Sequence, residues 1–332
     1  MSEQKRRAGI TGLGSAIPEK VLTNKDLEKI VETSDEWIFE RTGIRERRIV
    51  DEDTHTSDLA YQAAQKALED AGIGAEELDL IIVATVSPDM AFPATACILQ
   101  DKLGAKDTGA FDLQAGCSGF VYGITMASQF IAAGTYDHIL VVGAETLSRI
   151  TNWEDRGTCI LFGDGAGAAV LSPVEEGGII TTHLGADGSG GKYLDLPAGG
   201  AKLPASEETV RERLHYIRMD GNQVYKFAVR VMGKAAKIVA EDAGLTPADI
   251  DLFIPHQANQ RIITAAARRL GVEMDKVFVN LHKYGNTSGA SIPIALDEAY
   301  REGLLHKGDN VVMVGFGAGL TWASACLQWV KE

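Results

Sequence analysis

Cys117 stands in Phe111-Asp-Leu-Gln-Ala-Gly-Cys117-Ser-Gly-Phe120, between a strand-like run and a long apolar helix-like run. A thiol at a helix N-terminus meets the positive end of the helix dipole, which favours thiolate over thiol. Glycines at 116 and 119 leave a substrate room to reach the sulfur. This is the pattern of a nucleophile that attacks a thioester and holds the acyl group. Two neutral side chains could complete the chemistry. His256, in Pro255-His-Gln-Ala-Asn259, directly follows a buried strand, and Asn286, in Tyr284-Gly-Asn-Thr-Ser-Gly289, opens a second buried helix. Donation from His256 Nε2–H and Asn286 Nδ2–H to one carbonyl oxygen would stabilise an enolate or oxyanion by about 3–4 kcal/mol per donor at a dry site. The amides of Cys117 and of Gly317, Ala318 and Gly319 offer a second oxyanion hole.

Plainer roles compete for some of these residues. A lone cysteine is usually a small buried hydrophobe, and that is the role expected of Cys97, Cys159 and Cys326. Six further histidines read as surface or satisfied polar groups. Asn286 could simply shape a turn. The runs Gly163–Gly167 and Gly315–Gly319 lack the G-x-G-x-x-G spacing of a dinucleotide loop.

The elements that must position these residues read as a duplication. Residues 69–83 match residues 241–255 at seven of fifteen positions, at an offset of 172. Ser118-Gly119 then matches Ser288-Gly289 at an offset of 170, and Gly163–Gly167 matches Gly315–Gly319 at 152. The falling offset places extra residues in the first half, with 147–156 as the candidate insertion. Periodicity predicts helices over 57–71, 119–133, 224–243 and 259–270. It predicts buried strands over 80–85, 139–143, 168–171, 252–254, 311–315 and 323–328. Residues 188–219, with Pro197, Gly199, Gly200 and Pro204, read as a loop-rich excursion bordering a site.

The 332 residues carry a net charge of −14, which argues against general nucleic-acid binding. No run of about 18 apolar residues implies a membrane span. Four cysteines without C-x-x-C spacing, and no signal-peptide pattern, point to a reducing cytoplasm.

At Ser34-Asp-Glu-Trp-Ile38, Arg41-Thr-Gly-Ile-Arg45, Gly116-Cys-Ser-Gly-Phe120, Phe162-Gly-Asp-Gly-Ala-Gly167, His256-Gln-Ala-Asn259, Gly285-Asn-Thr-Ser-Gly289 and Gly315-Phe-Gly, the chain resembles 3-oxoacyl-[acyl-carrier-protein] synthase III. The resemblance runs from about Ala8 to Trp329. It implies an α/β, thiolase-like fold of two βαβαβαββ halves, residues 1–172 and 173–332, in a five-layer αβαβα arrangement, working as a homodimer. It also implies the initiating condensation of fatty-acid synthesis. Cys117 would take a short acyl group from coenzyme A. Malonyl-acyl-carrier protein would then lose CO2, and the enolate held by His256 and Asn286 would attack the acyl-cysteine. No metal or other cofactor is implied beyond the coenzyme A thioester substrate. A relative making polyketide-type, quinolone-type or ester products from other acyl donors is the alternative.

The resemblance extends to binding residues. Phe316 resembles the phenylalanine that disfavours the malonyl carboxylate. Trp37 and Arg156 resemble the pair that sandwiches adenine. Thr33, Arg41, Asn259 and Arg261 resemble the other polar contacts of coenzyme A, and Tyr225 stands where a phenylalanine is usual. Phe92 resembles the residue that closes the partner subunit's acyl pocket. Lys226, Arg230, Lys234 and Lys237 fall at helical spacing, and Arg268 and Arg269, with Arg261, extend a basic surface suited to an acidic carrier protein.

Overall fold

The structure is a computed structural model and describes residues 6–332. One sheet holds Arg7–Ala16 (β1), Leu80–Ala84 (β2), Gly109–Leu113 (β3), Ile139–Glu145 (β4) and Gly165–Val174 (β5), in spatial order β1-β5-β4-β2-β3. The other holds Gly178–Ala186 (β6), Leu252–Pro255 (β7), Asn310–Gly317 (β8) and Thr321–Gln328 (β9), in order β6-β9-β8-β7. Val277 bridges Phe253 beyond β7, as β3 pairs with β2. The two sheets therefore repeat one topology.

Seven helices matter here: Asp35–Thr42 (α1), Thr56–Ala71 (α2), Thr95–Leu103 (α3), Gly119–Ala132 (α4), Gly221–Asp242 (α5), Gln260–Leu270 (α6) and Ser291–Arg301 (α7). Side-chain alternation along the strands sorts them into layers. Leu80, Ile82, Ile139 and Val141 face α4 and α7, while Ile81, Val83, Leu140 and Val142 face α2 and α3. In the second sheet Leu252, Ile254, Val311 and Met313 face the same central helices, and Phe253, Val312 and Val314 face α5 and α6. The result is the five-layer thiolase-like arrangement. Because α4 lies between two sheets, Phe120, Val121, Ile124 and Ile131 are all fully buried, each worth about 1.5–3 kcal/mol.

Observed boundaries lie within a few residues of the sequence pattern. The largest difference is at β5, Gly165–Val174, which extends three residues beyond the expected 168–171 at each end; α5 begins three residues before Val224 because Asp220 caps it, accepting from Gln223 N. The excursion at 188–219 folds back on itself, pairing Leu194–Asp195 with Arg218–Met219.

Strand register corrects the matching of the halves. Leu80 lies opposite Ile139, and Leu252 opposite Val311, so the offset stays at 172 through the paired strands. Gly143 is thus the counterpart of Gly315. A Cβ at Gly143 would run into the Gly289 carbonyl and lie 3.1 Å from Ala290 Cα. A Cβ at Gly315 would lie 3.1 Å from both the Cys117 carbonyl and Ser118 Cα. Each strand glycine receives the helix mouth of the other half. These reciprocal contacts make Gly289 the counterpart of Cys117, with Asn286 three positions ahead rather than one. The Ser-Gly identity at an offset of 170 is coincidental. The glycine runs matched at 152 also differ, since Gly165 begins β5 whereas Gly315–Gly317 ends β8. The extra residues of the first half span 146–164, including the expected 147–156, against only 318–320 in the second. The division expected at 172/173 falls inside β5, and we propose that it lies in the turn 175–177.

Candidate active site

A three-residue turn of 3-10 helix, Gly116–Ser118, precedes α4 and carries Cys117. Gly116 adopts φ +56°, and a Cβ there would lie 2.5 Å from Ala318 N, so glycine is required on both counts. Ser118 Oγ donates to Ala115 O at 2.7 Å and fixes the turn. Cys117 lines a cavity of about 410 Å³ with Phe162, Ile150, Ile217, Ser288 and Gly319. The expectation of a resting thiolate is not met. Burial pushes the Cys117 thiol up to about 12, the neighbouring Glu145 charge adds to this, and the Ser288 hydroxyl only partly offsets it. Loss of water is the largest of these influences and favours the thiol.

His256 and Asn286 arrive from the other half. His256 N donates to Val314 O at 2.8 Å, and the ring meets Phe316 edge-on with centroids 5.5 Å apart. Gln257 N donates to Ser291 Oγ at 3.3 Å, and Ser291 Oγ lies 2.6 Å from His256 Nδ1. A Ser291 hydroxyl that accepts from Gln257 N and donates to Nδ1 leaves the ring proton on Nε2. Nε2 is buried and has no partner among the described residues. Burial holds the imidazole down at about 3, so it is neutral at ordinary pH. Asn286 is tied on both sides of its backbone, with its N donating to Leu161 O and its O accepting from Gly163 N. Its Oδ1 accepts from Ser288 N at 2.8 Å, which leaves the Nδ2 donor to point elsewhere.

The backbone of Gly317 lies against Cys117 N, Phe316 sits next in the chain, and Ser291 links His256 to the turn that holds Asn286 and Ser288. The structure thus brings the segments bearing Cys117, His256, Asn286 and Phe316 through Gly319 together. Asn286 bridges Phe162 of the cavity lining, and His256 and Asn286 are both buried.

Glu145 was not anticipated. It is fully buried and gathers Ser87 Oγ at 2.5 Å, Ser87 N at 3.2 Å, Val86 N at 3.1 Å and Thr85 Oγ1 at 3.2 Å on Oε2. Its sequence signal was a single acid ending an apolar strand. Ser288, Ser291 and Gln257 were missed as well. Gln257 bridges Pro255 O, Phe278 O and Asn280 N, fixing the loop after His256.

The coenzyme A set divides. The Arg41 and Arg156 guanidinium groups lie over Trp37 at 4.3 and 4.8 Å from the ring centroid. An adenine between Trp37 and Arg156 requires the arginine to swing away. Thr33 Oγ1 is buried without a partner among the described residues. Asn259 and Arg261 already have partners: Asn259 Nδ2 donates to Arg41 O at 2.9 Å, its Oδ1 caps α6 at Arg261 N, and Arg261 Nη2 donates to Glu40 O at 2.7 Å. They tie α6 to α1. Tyr225 is 40% exposed on α5, and Phe92 is 84% exposed and does not line its own chain's cavity. Lys226, Arg230, Lys234 and Lys237 share the exposed face of α5. Arg268 and Arg269 are exposed on α6, where Gly233 makes room for the stem of Arg269. Cys159 and Cys326 are buried, but Cys97 is exposed, contrary to expectation. It sits on the outward face of α3. Among the described residues, no helix is long and apolar enough to cross a membrane, and no cluster of His, Cys, Asp and Glu could hold a metal.

Comparison with known proteins agrees with this geometry. Family models described as 3-oxoacyl-[acyl-carrier-protein] synthase III and its C-terminal region match residues 111–188 and 240–329. The beta-ketoacyl-[acyl-carrier-protein] synthase III of Caldanaerobacter subterraneus is 62% identical over 329 residues, covering 99% of each chain. That of Desulfitobacterium hafniense is 60% identical over 325 residues, covering 98% of each. The crystal structure of 3-oxoacyl-[acyl-carrier-protein] synthase III from Aquifex aeolicus superposes with a TM-score of 0.90 at 49% identity, covering 97% of this chain and all of that one. With its paired sheets, central helices and cysteine mouth, this chain belongs to the beta-ketoacyl-[acyl-carrier-protein] synthase III family of condensing acyltransferases.

Proposed function

We propose that Cys117, His256 and Asn286 carry the initiating condensation of fatty-acid synthesis that this family performs. Cys117 attacks a short acyl-coenzyme A, probed most simply with acetyl-coenzyme A, and coenzyme A leaves. Malonyl-acyl-carrier protein enters the same cavity. His256 Nε2–H and Asn286 Nδ2–H donate to its thioester oxygen as CO2 departs, and the enolate attacks the acyl-cysteine to give 3-oxoacyl-carrier protein. Breaking the carboxylate bond generates the carbanion without a strong base, so the scheme requires no metal or redox cofactor. Phe316, edge-on to His256, gives the malonyl carboxylate an apolar neighbour and favours its loss.

The observation that carries this reading is the buried Nε2 of a neutral imidazole, unpartnered among the described residues and packed on Phe316, whose neighbour Gly317 lies against Cys117 N. A buried donor without an acceptor costs about 1–3 kcal/mol, and a substrate oxygen relieves that cost. Thr33, Trp37, Arg41 and Arg156 would receive the nucleotide end of coenzyme A. Asn259, Arg261 and Tyr225 would take part by shaping its approach. The α5–α6 basic face would dock the acidic carrier protein, and Phe92 would reach the pocket of a second copy in a homodimer. Mass spectrometry of protein incubated with labelled acetyl-coenzyme A tests the reading. The expected result is a labelled acetyl adduct on the peptide containing Cys117, and an unmodified peptide from folded protein refutes it.

A further inference from the structure

Among the described residues, Arg47 is the one guanidinium that the fold buries completely. It lies in the short strand Glu46–Arg48, which pairs with Val21–Thr23. Its three hydrogen bonds all go to neutral oxygens. Nη1 donates to Leu22 O at 3.2 Å and to Asn24 Oδ1 at 2.9 Å, and Nη2 donates to Ile160 O at 2.7 Å. Asn24 Nδ2 donates to Asp35 Oδ1 and Ile44 O, both at 2.8 Å, which turns its oxygen to the arginine. Burial pushes the guanidinium down only to about 10, so it stays charged at ordinary pH. A charge taken out of water without a carboxylate is costly, and an apolar residue of like size would pack there more cheaply. What an apolar residue could not supply is a rigid fork of donors that reaches separate segments at once.

Those segments lead to Asn286. Leu161 O, next to Ile160, accepts from Asn286 N at 2.8 Å, and Gly163 N donates to Asn286 O at 3.0 Å. The arginine stem packs on the same place. A Cβ on Gly163 would lie 3.0 Å from Arg47 Cβ, and one on Gly285 would lie 3.2 Å from it. The neighbouring backbone clasps both loops, with Arg45 N donating to His282 O at 3.2 Å and Asp164 N donating to Arg48 O at 2.8 Å. We propose that Arg47 is a positioning residue for Asn286, an inference that rests on reading Asn286 as a donor to the condensation enolate. The guanidinium holds Ile160 O, the stem rests on Gly163 and Gly285, and together they set where the Asn286 backbone sits. Ser288 N fixes Asn286 Oδ1, so that backbone placement decides where Nδ2 points. Cys117 is held by its own turn and by Gly317 instead. Its attack on the acyl donor therefore does not depend on this grip. Arg47 acts through Asn286, not on the reacting atoms.

Measuring the two half-reactions separately tests the assignment in native, Arg47→Met, Arg47→Lys, Asn286→Ala and doubly substituted Arg47→Met, Asn286→Ala protein. Rapid-quench transfer of radiolabelled acetyl-coenzyme A reads the first, and reaction of the acetylated protein with malonyl-acyl-carrier protein reads the second. Methionine keeps the stem and removes the donors. Lysine offers one ammonium, which can hold Ile160 O or the Asn24 side but not both. In Arg47→Met, condensation should fall about tenfold to a hundredfold while acetyl transfer stays within about threefold of native. Arg47→Lys should show a smaller loss in the same half-reaction, and it decides the matter if Arg47→Met does not fold. The double variant should condense no more slowly than Asn286→Ala alone, because the grip acts through that side chain. Native-rate condensation in the folded Arg47 variant overturns the proposal. Equal losses in both half-reactions overturn it too, since general loosening of the fold would do that, and so do losses that multiply in the double variant. Native-rate condensation in Asn286→Ala overturns instead the donor reading on which the proposal stands.

Discussion

The Gly317→Ala substitution puts the geometry of the mouth under direct test. Gly317 has φ −166° and ψ −167°, extended backbone that alanine adopts freely, so conformational strain plays no part. The difficulty is space. A Cβ on Gly317 would sit about 1 Å inside ordinary contact with Cys117 N, and at 3.0 and 3.1 Å from Gly116 C and Cα. All three atoms are backbone, so no side chain can rotate away and the cysteine turn itself must move. Overpacking of this kind costs about 1–3 kcal/mol of stability. A displacement near 1 Å at a reacting atom costs roughly a hundredfold in rate. Gly303→Ala supplies the control. Its φ of +73° disfavours alanine, but its Cβ would meet nothing within 4 Å. It should lose about 1 kcal/mol of stability and keep most of its transfer rate. The assay is single-turnover acetyl transfer beside thermal unfolding. A Gly317→Ala protein that acylates at the native rate would refute the packing argument, whatever its melting temperature.

Other expectations follow from the same geometry. His256→Ala and Asn286→Ala should retain acyl transfer to Cys117 and lose about 10²–10³ in condensation; a proportional loss in both half-reactions would mean that neither side chain is specific to the enolate. His256 also affects stability. Its folded-state pKa, about 3, lies below the ordinary 6.5, so the unfolded chain binds more protons between those values. Its contribution is complete above pH 6.5 and is lost on acidification toward 3, by about 2 kcal/mol between pH 6.5 and 5. Urea unfolding of native protein and His256→Asn at pH 7 and 5 should differ by that amount, and parallel losses would rule it out. Charge reversal of Lys226 and Arg230 should raise KM for malonyl-carrier protein and spare acetyl-coenzyme A, and steady-state kinetics with each substrate varied would expose an indifferent surface.

The sequence carried the layering well, because burial on both faces leaves strands such as Ile139–Gly143 without polar residues. It also located Cys117, since a cysteine between glycines at the start of an apolar helix needs no partner to be noticed. Matching of the halves was less legible. Ser118-Gly119 and Ser288-Gly289 look equivalent as text, yet strand pairing sets Cys117 against Gly289. The state of the thiol was misjudged because a helix end is visible in sequence, whereas the water removed by Phe162, Ile217 and their neighbours is not. Glu145 was passed over for a related reason. One acid at a strand end means little until Ser87, Val86 and Thr85, some sixty residues away, are seen to converge on it. Asn259 and Arg261 fit a binding motif, but the backbone carbonyls of Glu40 and Arg41 already occupy their donors.

The exchange made by Gly143 and Gly315 has a consequence for any attempt to take the chain apart. Each of these residues is bare so that the opposite lobe's loop can rest on it. An isolated lobe would therefore leave its own middle helix wet along one flank, and its loop would have nothing to lean on. The lobes can be redesigned only as a matched pair, and splitting the polypeptide should yield two fragments that are useless apart and competent only once reunited.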